Sequence, residues 1–233
     1  MNFLGQLWNK DIPEGSSILL VGTPGAGKTM FCQSLADSFL KSNFSCLYIA
    51  VDRAPVDIRK DFGRLGTDIR RMESEKRLAF VDGYGWLSGK SNETFRIENL
   101  ANLTELIIVI ERASSYLGGR ILLVFDSISP LPLHNPEIDV IKFIQLLSAR
   151  LRNWKGIGIY VMQAGIHSEK FCNALAFLVD GIFEMKMEEE NDGRIRRYFR
   201  IRNLRFMTPR MTWTPFVIES GKGLKFQESE VPQ

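Results

Sequence analysis

Eight residues, Gly22-Thr23-Pro24-Gly25-Ala26-Gly27-Lys28-Thr29, constrain this chain more than any other stretch. They match G-x-x-x-x-G-K-[ST], a pattern that requires a strand before it and a helix after it. Both flanks are present. Ser17–Val21 is a short apolar run with the character of a buried strand. Lys28–Leu40 reads as a helix, with Phe31, Leu35 and Phe39 at four-residue spacing on one face. The glycines let the backbone curl so that successive N–H groups point into one concavity, a cradle for phosphate oxygens. The helix adds its N-terminal dipole at the same place. In such a loop Gly22 to Thr29 form the nucleotide site, Lys28 bridges the β- and γ-phosphates, and the Thr29 hydroxyl binds Mg²⁺. A dinucleotide-type G-x-G-x-x-G fails here, because counting from Gly25 the last position is Met30.

The rest of the chain alternates in the same way. Strands are expected at Cys46–Val51, Leu78–Val81, Ile121–Phe125 and Ile157–Met162, and helices at Val56–Phe62, Leu103–Leu117 and Glu137–Trp154. Strands that are apolar throughout and separated by helices imply a parallel sheet covered on both faces. Beyond residue 179 the pattern changes. Gly181–Met187 and Arg194–Leu204 read as a hairpin across a polar turn, Glu188–Gly193, in which Asn191-Asp192-Gly193 supplies turn residues. Thr214–Ile218 and Leu224–Phe226 read as further short strands, and Glu228–Gln233 as a frayed end. The expected fold is α/β, with a central mostly parallel sheet, helices on both faces and antiparallel C-terminal strands. At 233 residues it is expected to be one domain, with a core from about residue 12 to 226.

Composition narrows the setting. A net charge of +3 does not by itself announce nucleic acid, and 45% hydrophobic residues argue against extended disorder. Cys32, Cys46 and Cys172 are odd in number and lack paired spacing, as expected of reduced thiols. Met1 to Lys10 has no basic start and no continuous apolar stretch, so it is not read as a signal peptide. Leu106–Ile110 and Ile121–Phe125 are far too short to span a bilayer. A cytoplasmic protein with no membrane span is expected.

The second half of the site should be an acid at the end of another strand. Asp126 follows the apolar Ile121–Phe125, at the edge where ligands of open parallel sheets collect. It is the expected Mg²⁺ partner of Thr29, against the plainer reading of an N-cap or loop acid.

Taken together, these motifs resemble a RecA-superfamily P-loop NTPase of the KaiC-like type. The resemblance runs from about Ile12 to Phe226. Beside the loop it rests on Ile12-Pro13-Glu14-Gly15-Ser16, on Phe80-Val81-Asp82, on Asp126-Ser127-Ile128-Ser129 and on Arg197–Phe216. It implies ATP and Mg²⁺ as cofactors and a homo-oligomer, typically a hexamer, with nucleotide between subunits; the departures from the family pattern at Asp52-Arg53 and Asn203 make the expected ATP hydrolysis weak or regulated. It implies three further site residues. Arg205, from the family's Lys-x-Arg, would act on the neighbouring copy's nucleotide; here Asn203 replaces the lysine. Asp52 stands where the family has the first glutamate of a pair that polarises the attacking water, and Arg53 takes the second place, where it can pair with Asp52. Gln163 would sense the γ-phosphate, unless it is a satisfied glutamine at the sheet edge.

Arg194, Arg196, Arg197, Arg200, Arg202, Arg205 and Arg210, interleaved with Tyr198 and Phe199, leave nucleic acid open as a partner. Pairing with acids such as Glu184 and Glu188–Glu190, within the chain or across an interface, is favoured. A recombination accessory protein that binds DNA and a nucleotide-dependent scaffold without hydrolysis are the alternatives to an oligomeric switch. A separate protein partner is not named by the sequence. Trp86 is read as a cover of the core and His167 as a surface residue.

Overall fold

The computed structural model describes residues 12–87, 89, 91–190, 193–208 and 211–227. The expectations for Met1–Lys10, Asn191-Asp192, Arg210 and Glu228–Gln233 lie outside the described residues.

Among the described residues ten strands form one sheet in the order β10-β9-β8-β7-β1-β6-β5-β2-β3-β4. Strands β1 (Ser17–Gly22), β2 (Ser45–Ala50), β3 (Leu78–Asp82), β4 (Phe95–Arg96), β5 (Ile121–Asp126), β6 (Ile157–Gln163) and β7 (Gly181–Glu189) are parallel. The chain then doubles back through β8 (Ile195–Leu204), β9 (Thr214–Glu219) and β10 (Gly223–Phe226), each antiparallel to its neighbour. The expected α/β architecture is therefore present. β2 and β5 are buried along their whole lengths, as expected for central strands covered on both faces.

The helices divide into two layers. α1 (Lys28–Lys41) and α2 (Pro55–Arg64) cover one face with Phe31, Leu35, Ile58 and Phe62. α4 (Leu103–Leu117), α6 (Glu137–Asn153) and α7 (Glu169–Leu178) cover the other with Leu106, Ile110, Phe143, Leu147 and Phe171. α3 (Ile69–Ser74) and α5 (Leu131–His134) are single short turns. The C-terminal strands lean on α1, where Phe199 stacks on Phe31 with ring centroids 5.0 Å apart and packs against Phe226 at 5.4 Å.

Asp180 joins the base of this sheet. It precedes β7 and accepts hydrogen bonds from both the backbone N and the hydroxyl of Ser17, each at 2.9 Å. Its other oxygen meets Arg152 at 3.3 Å and Arg205 at 3.2 Å. Among the described residues no helix is long and apolar enough to cross a membrane.

Candidate functional site

The loop from Gly22 to Thr29 leaves the carboxyl end of β1 and enters α1. Gly25 and Gly27 have φ of 74° and 92°, values that a side-chain-bearing residue adopts only with strain. Gly22 is required for a different reason: a Cβ there would sit 2.8 Å from the Met185 carbonyl oxygen. α1 has no side-chain cap at Gly27 and no acid in its first turn, so the positive end of its dipole faces the loop uncompensated.

Lys28 folds over this loop. Its Nζ donates to the Gly22 carbonyl, the Thr23 carbonyl and Gln163 Oε1, all at 2.9 Å. Burial lowers its pKa, against the pull of Asp126 and Asp52. Gln163 is thus brought to the lysine from the end of β6, its own backbone N held by Ser129 Oγ at 2.8 Å. The sequence placed Gln163 at the end of a fifth strand; β4, only two residues long, makes it the sixth.

Asp126 ends β5 and is 5% exposed. Burial raises its pKa, and hydrogen bonds from Tyr48 and Thr29 oppose that shift. Tyr48 Oη donates to Asp126 Oδ2 at 2.7 Å. The Thr29 hydroxyl stands near the Asp126 carboxylate. Asp52 lies just beyond β2, where Ser127 Oγ donates to its Oδ2 at 2.7 Å. Arg53 does not pair with Asp52. It reaches Asp61 on α2 at 2.7 Å, eight residues along the chain.

Arg205 is elsewhere. β8 stops at Leu204, so Arg205 lies beyond the strand that carries Asn203, and the two do not share a strand face as their two-residue spacing implies. The Asn203 amide oxygen is buried without a partner, while the Arg205 guanidinium lies at the surface on Asp180. Asp180 is at the foot of β1, five residue steps or about 16 Å from the loop of the same chain.

The arginine run is largely matched within the chain. Arg200 and Arg202 meet Glu184, Arg196 meets Glu190, and Arg200 lies 4.4 Å over the Trp213 ring. Arg197 behaves differently: its Nε donates to the Gly25 carbonyl at 3.0 Å. Behind the loop, Met187 Cε and Ile218 Cδ1 would lie 3.2 and 3.1 Å from a Cβ on Gly25 and Gly27. Between the tips of β8 and β9, beside this wall, opens a cavity of about 850 Å³ lined by Arg196, Arg197, Tyr198, Phe216 and Ile218.

Trp86 sits in a tight 3-10 turn, Gly85–Leu87, and packs on the core and, edge to face, on His134. The turn is tied down by Asp82, whose Oδ1 accepts from the backbone N of Tyr84 and Gly85. His167 contacts Ser129 Oγ at 3.1 Å and is half-buried, so it is less exposed than the sequence suggested. Tyr48 and Ile218 escaped the sequence reading, which also gave Ser127 and Arg197 no part in the site. No short-range pattern marks these roles; a polar tip on an otherwise apolar strand is the one signal that could have pointed to Tyr48.

The comparisons agree with this geometry. A family model described as "ATPase: KaiC" matches residues 2–231. A UPF0273 protein of Pyrococcus furiosus is 28% identical over 95% of this chain and 89% of its own length. One from Methanopyrus kandleri is 27% identical over 98% and 90%, respectively. The solved structure of a KaiC-like protein from Pyrococcus horikoshii matches with a TM-score of 0.77 over 95% of this chain and 94% of that one, at 21% identity.

Proposed function

This chain belongs to the KaiC family of ATPases, and on that premise we propose that it binds ATP with Mg²⁺ at Gly22–Thr29 and hydrolyses it slowly. One observation supports this reading above the others. The Lys28 ammonium is gathered at the mouth of the loop by three oxygen acceptors, facing the Thr29–Asp126 pair. An anion with several oxygens can replace all three acceptors at once.

The residues also suit the metal. A buried carboxylate with a hydroxyl near it offers the hard oxygen ligands that Mg²⁺ prefers. The buried, partnerless Thr23 hydroxyl adds a free polar group to the cradle. When bound, Mg²⁺ would neutralise charge on the phosphate oxygens. Lys28 and the N–H groups of α1 hold the phosphates, and Gln163, released by Lys28, registers that they have arrived. Asp52, held by Ser127, accepts a proton from the attacking water. Its side chain is one methylene shorter than a glutamate, a loss of about 1.5 Å of reach. Misplacement on the order of 1 Å costs roughly 100-fold in rate, hence slow turnover. The apolar wall of Met187 and Ile218, with Arg197, is suited to the flat, aromatic part of the nucleotide.

Arg205 completes a neighbouring site in a homo-oligomer, on this proposal, after it leaves Asp180. A DNA-binding role is less well supported, because the arginines that suggested it are spent on Glu184, Glu190 and Gly25.

The test is binding of a fluorescent ATP analogue, with phosphate release and particle size measured with and without ATP and Mg²⁺. We expect micromolar binding that Lys28→Ala weakens by about 100-fold, since roughly 3 kcal/mol of charge-assisted bonding is lost. Equal binding by wild type and Lys28→Ala would end the nucleotide reading. A monomer under every condition would remove Arg205 from the site.

A further inference from the structure

The metal carboxylate is held by a residue that no loop motif contains. β2 and β5 are parallel neighbours, with Tyr48 opposite Val124 and Ala50 opposite Asp126. Side chains two apart on a strand share a face, so Tyr48, Ala50 and Asp126 all point toward α1. From two positions back, the tyrosine ring runs along the sheet between Phe62 and Phe80, with centroid separations of 6.1 and 5.9 Å. Its hydroxyl then lands 2.7 Å from Asp126 Oδ2. Both residues are buried, Tyr48 completely. The ring cannot turn away without displacing two phenylalanines.

We propose that Tyr48 is a positioning residue for Mg²⁺ binding: its hydroxyl fixes the Asp126 carboxylate in the orientation that receives the metal. This rests on the reading of Asp126 as the metal carboxylate. A buried carboxylate without a donor has no preferred orientation apart from its own rotamer. One held at a single oxygen presents the other in a set direction. Thr29 stands near the same carboxylate on the loop side, so Asp126 is bonded by a hydroxyl of the core and has a hydroxyl of the loop beside it. Only the second of these is expected to turn to the metal. Outer partners of this kind typically set metal affinity by 10- to 100-fold.

The experiment uses the full chain and a fluorescent ATP analogue. Affinity is measured in EDTA and across a Mg²⁺ titration for wild type, Tyr48→Phe and Asp126→Asn. The readout is the ratio of the two affinities and the Mg²⁺ concentration at half effect. A residue that only supports packing would change both affinities alike and leave the ratio in place. For Tyr48→Phe we expect the half-effect concentration to rise about 10-fold and the ratio to fall. Melting curves accompany each variant, and retained cooperative unfolding shows that the phenylalanine is accommodated. If Asp126→Asn moves the metal curve and Tyr48→Phe does not, Tyr48 has no such role. If Asp126→Asn also leaves the curve unmoved, the metal reading itself is wrong and Tyr48 falls with it.

Discussion

Replacing Asp180 by alanine should be the most damaging single change at the base of the sheet, although Asp180 is far from the phosphate loop. The expected size follows from its partners. Ser17 is fully buried, and both its backbone N–H and its hydroxyl end on Asp180 Oδ2. Alanine leaves two buried donors without an acceptor, at about 1–3 kcal/mol for such a group, with the hydroxyl at the low end because it can rotate. The two arginines add little. Their side chains are half exposed, and pairs of that kind contribute about 0–1 kcal/mol. The total is about 3 kcal/mol. Asparagine keeps an oxygen for Ser17 and gives up only the charge, so it should cost about 1 kcal/mol. Urea unfolding followed by far-UV circular dichroism measures the difference, provided the slope against urea is unchanged. A Ser17→Ala and Asp180→Ala cycle should show a coupling of about 1 kcal/mol, the share of the hydroxyl. If Asp180→Ala costs less than about 1 kcal/mol, or if alanine and asparagine are equal, then Ser17 does not depend on this carboxylate.

Two further outcomes concern the site and its surroundings. Asp52→Ala should lower turnover by about 100-fold while leaving ATP-analogue binding within about twofold; unchanged phosphate release would remove Asp52 from the chemistry. Burial holds the His167 imidazole below its usual pKa, so the folded state prefers the neutral ring. The unfolded chain then takes up the proton first, and stability should fall as pH drops from about 6.5 toward the folded value. Comparing melting temperatures across pH 5–7 for wild type and His167→Asn checks this, and a slope that persists in the variant assigns it to another group.

How much of this was readable beforehand depended on the range of the forces involved. The loop and its flanking strand and helix are local, as is Asp126 at the end of an apolar run, and all four stand where the residues placed them. The long strands and helices were found by periodicity. α7 could have been found too. Ser168 caps it by accepting from the Phe171 backbone N, and Phe171 and Leu175 are four apart. β4 and α5 are too short for any period to register. The pairings were the opaque part. Arg53 had two acids within reach along the chain, and only the path of α2 decided for Asp61. Arg205 belongs with Asp180, twenty-five residues away, because β7 and β8 run antiparallel from that point. Tyr48 and Asp126 meet across two strands whose register depends on the whole sheet.

That same sheet fixes when the site can come into being. Among the described strands β1 is made first, yet its neighbours are β6 and β7: Ser17 pairs with Gly158 and Ile18 with Gly181. During synthesis, from the N-terminus onward, β1 waits for most of the chain before it has a partner on either edge. Gly22 is braced by Met185 of β7, and Gly27 by Ile218 of β9, which emerges later still. On the proposed function, nucleotide capture therefore waits until β7 and β9 have been made. A ribosome-bound fragment ending before β7 would carry the complete phosphate motif and be unable to use it.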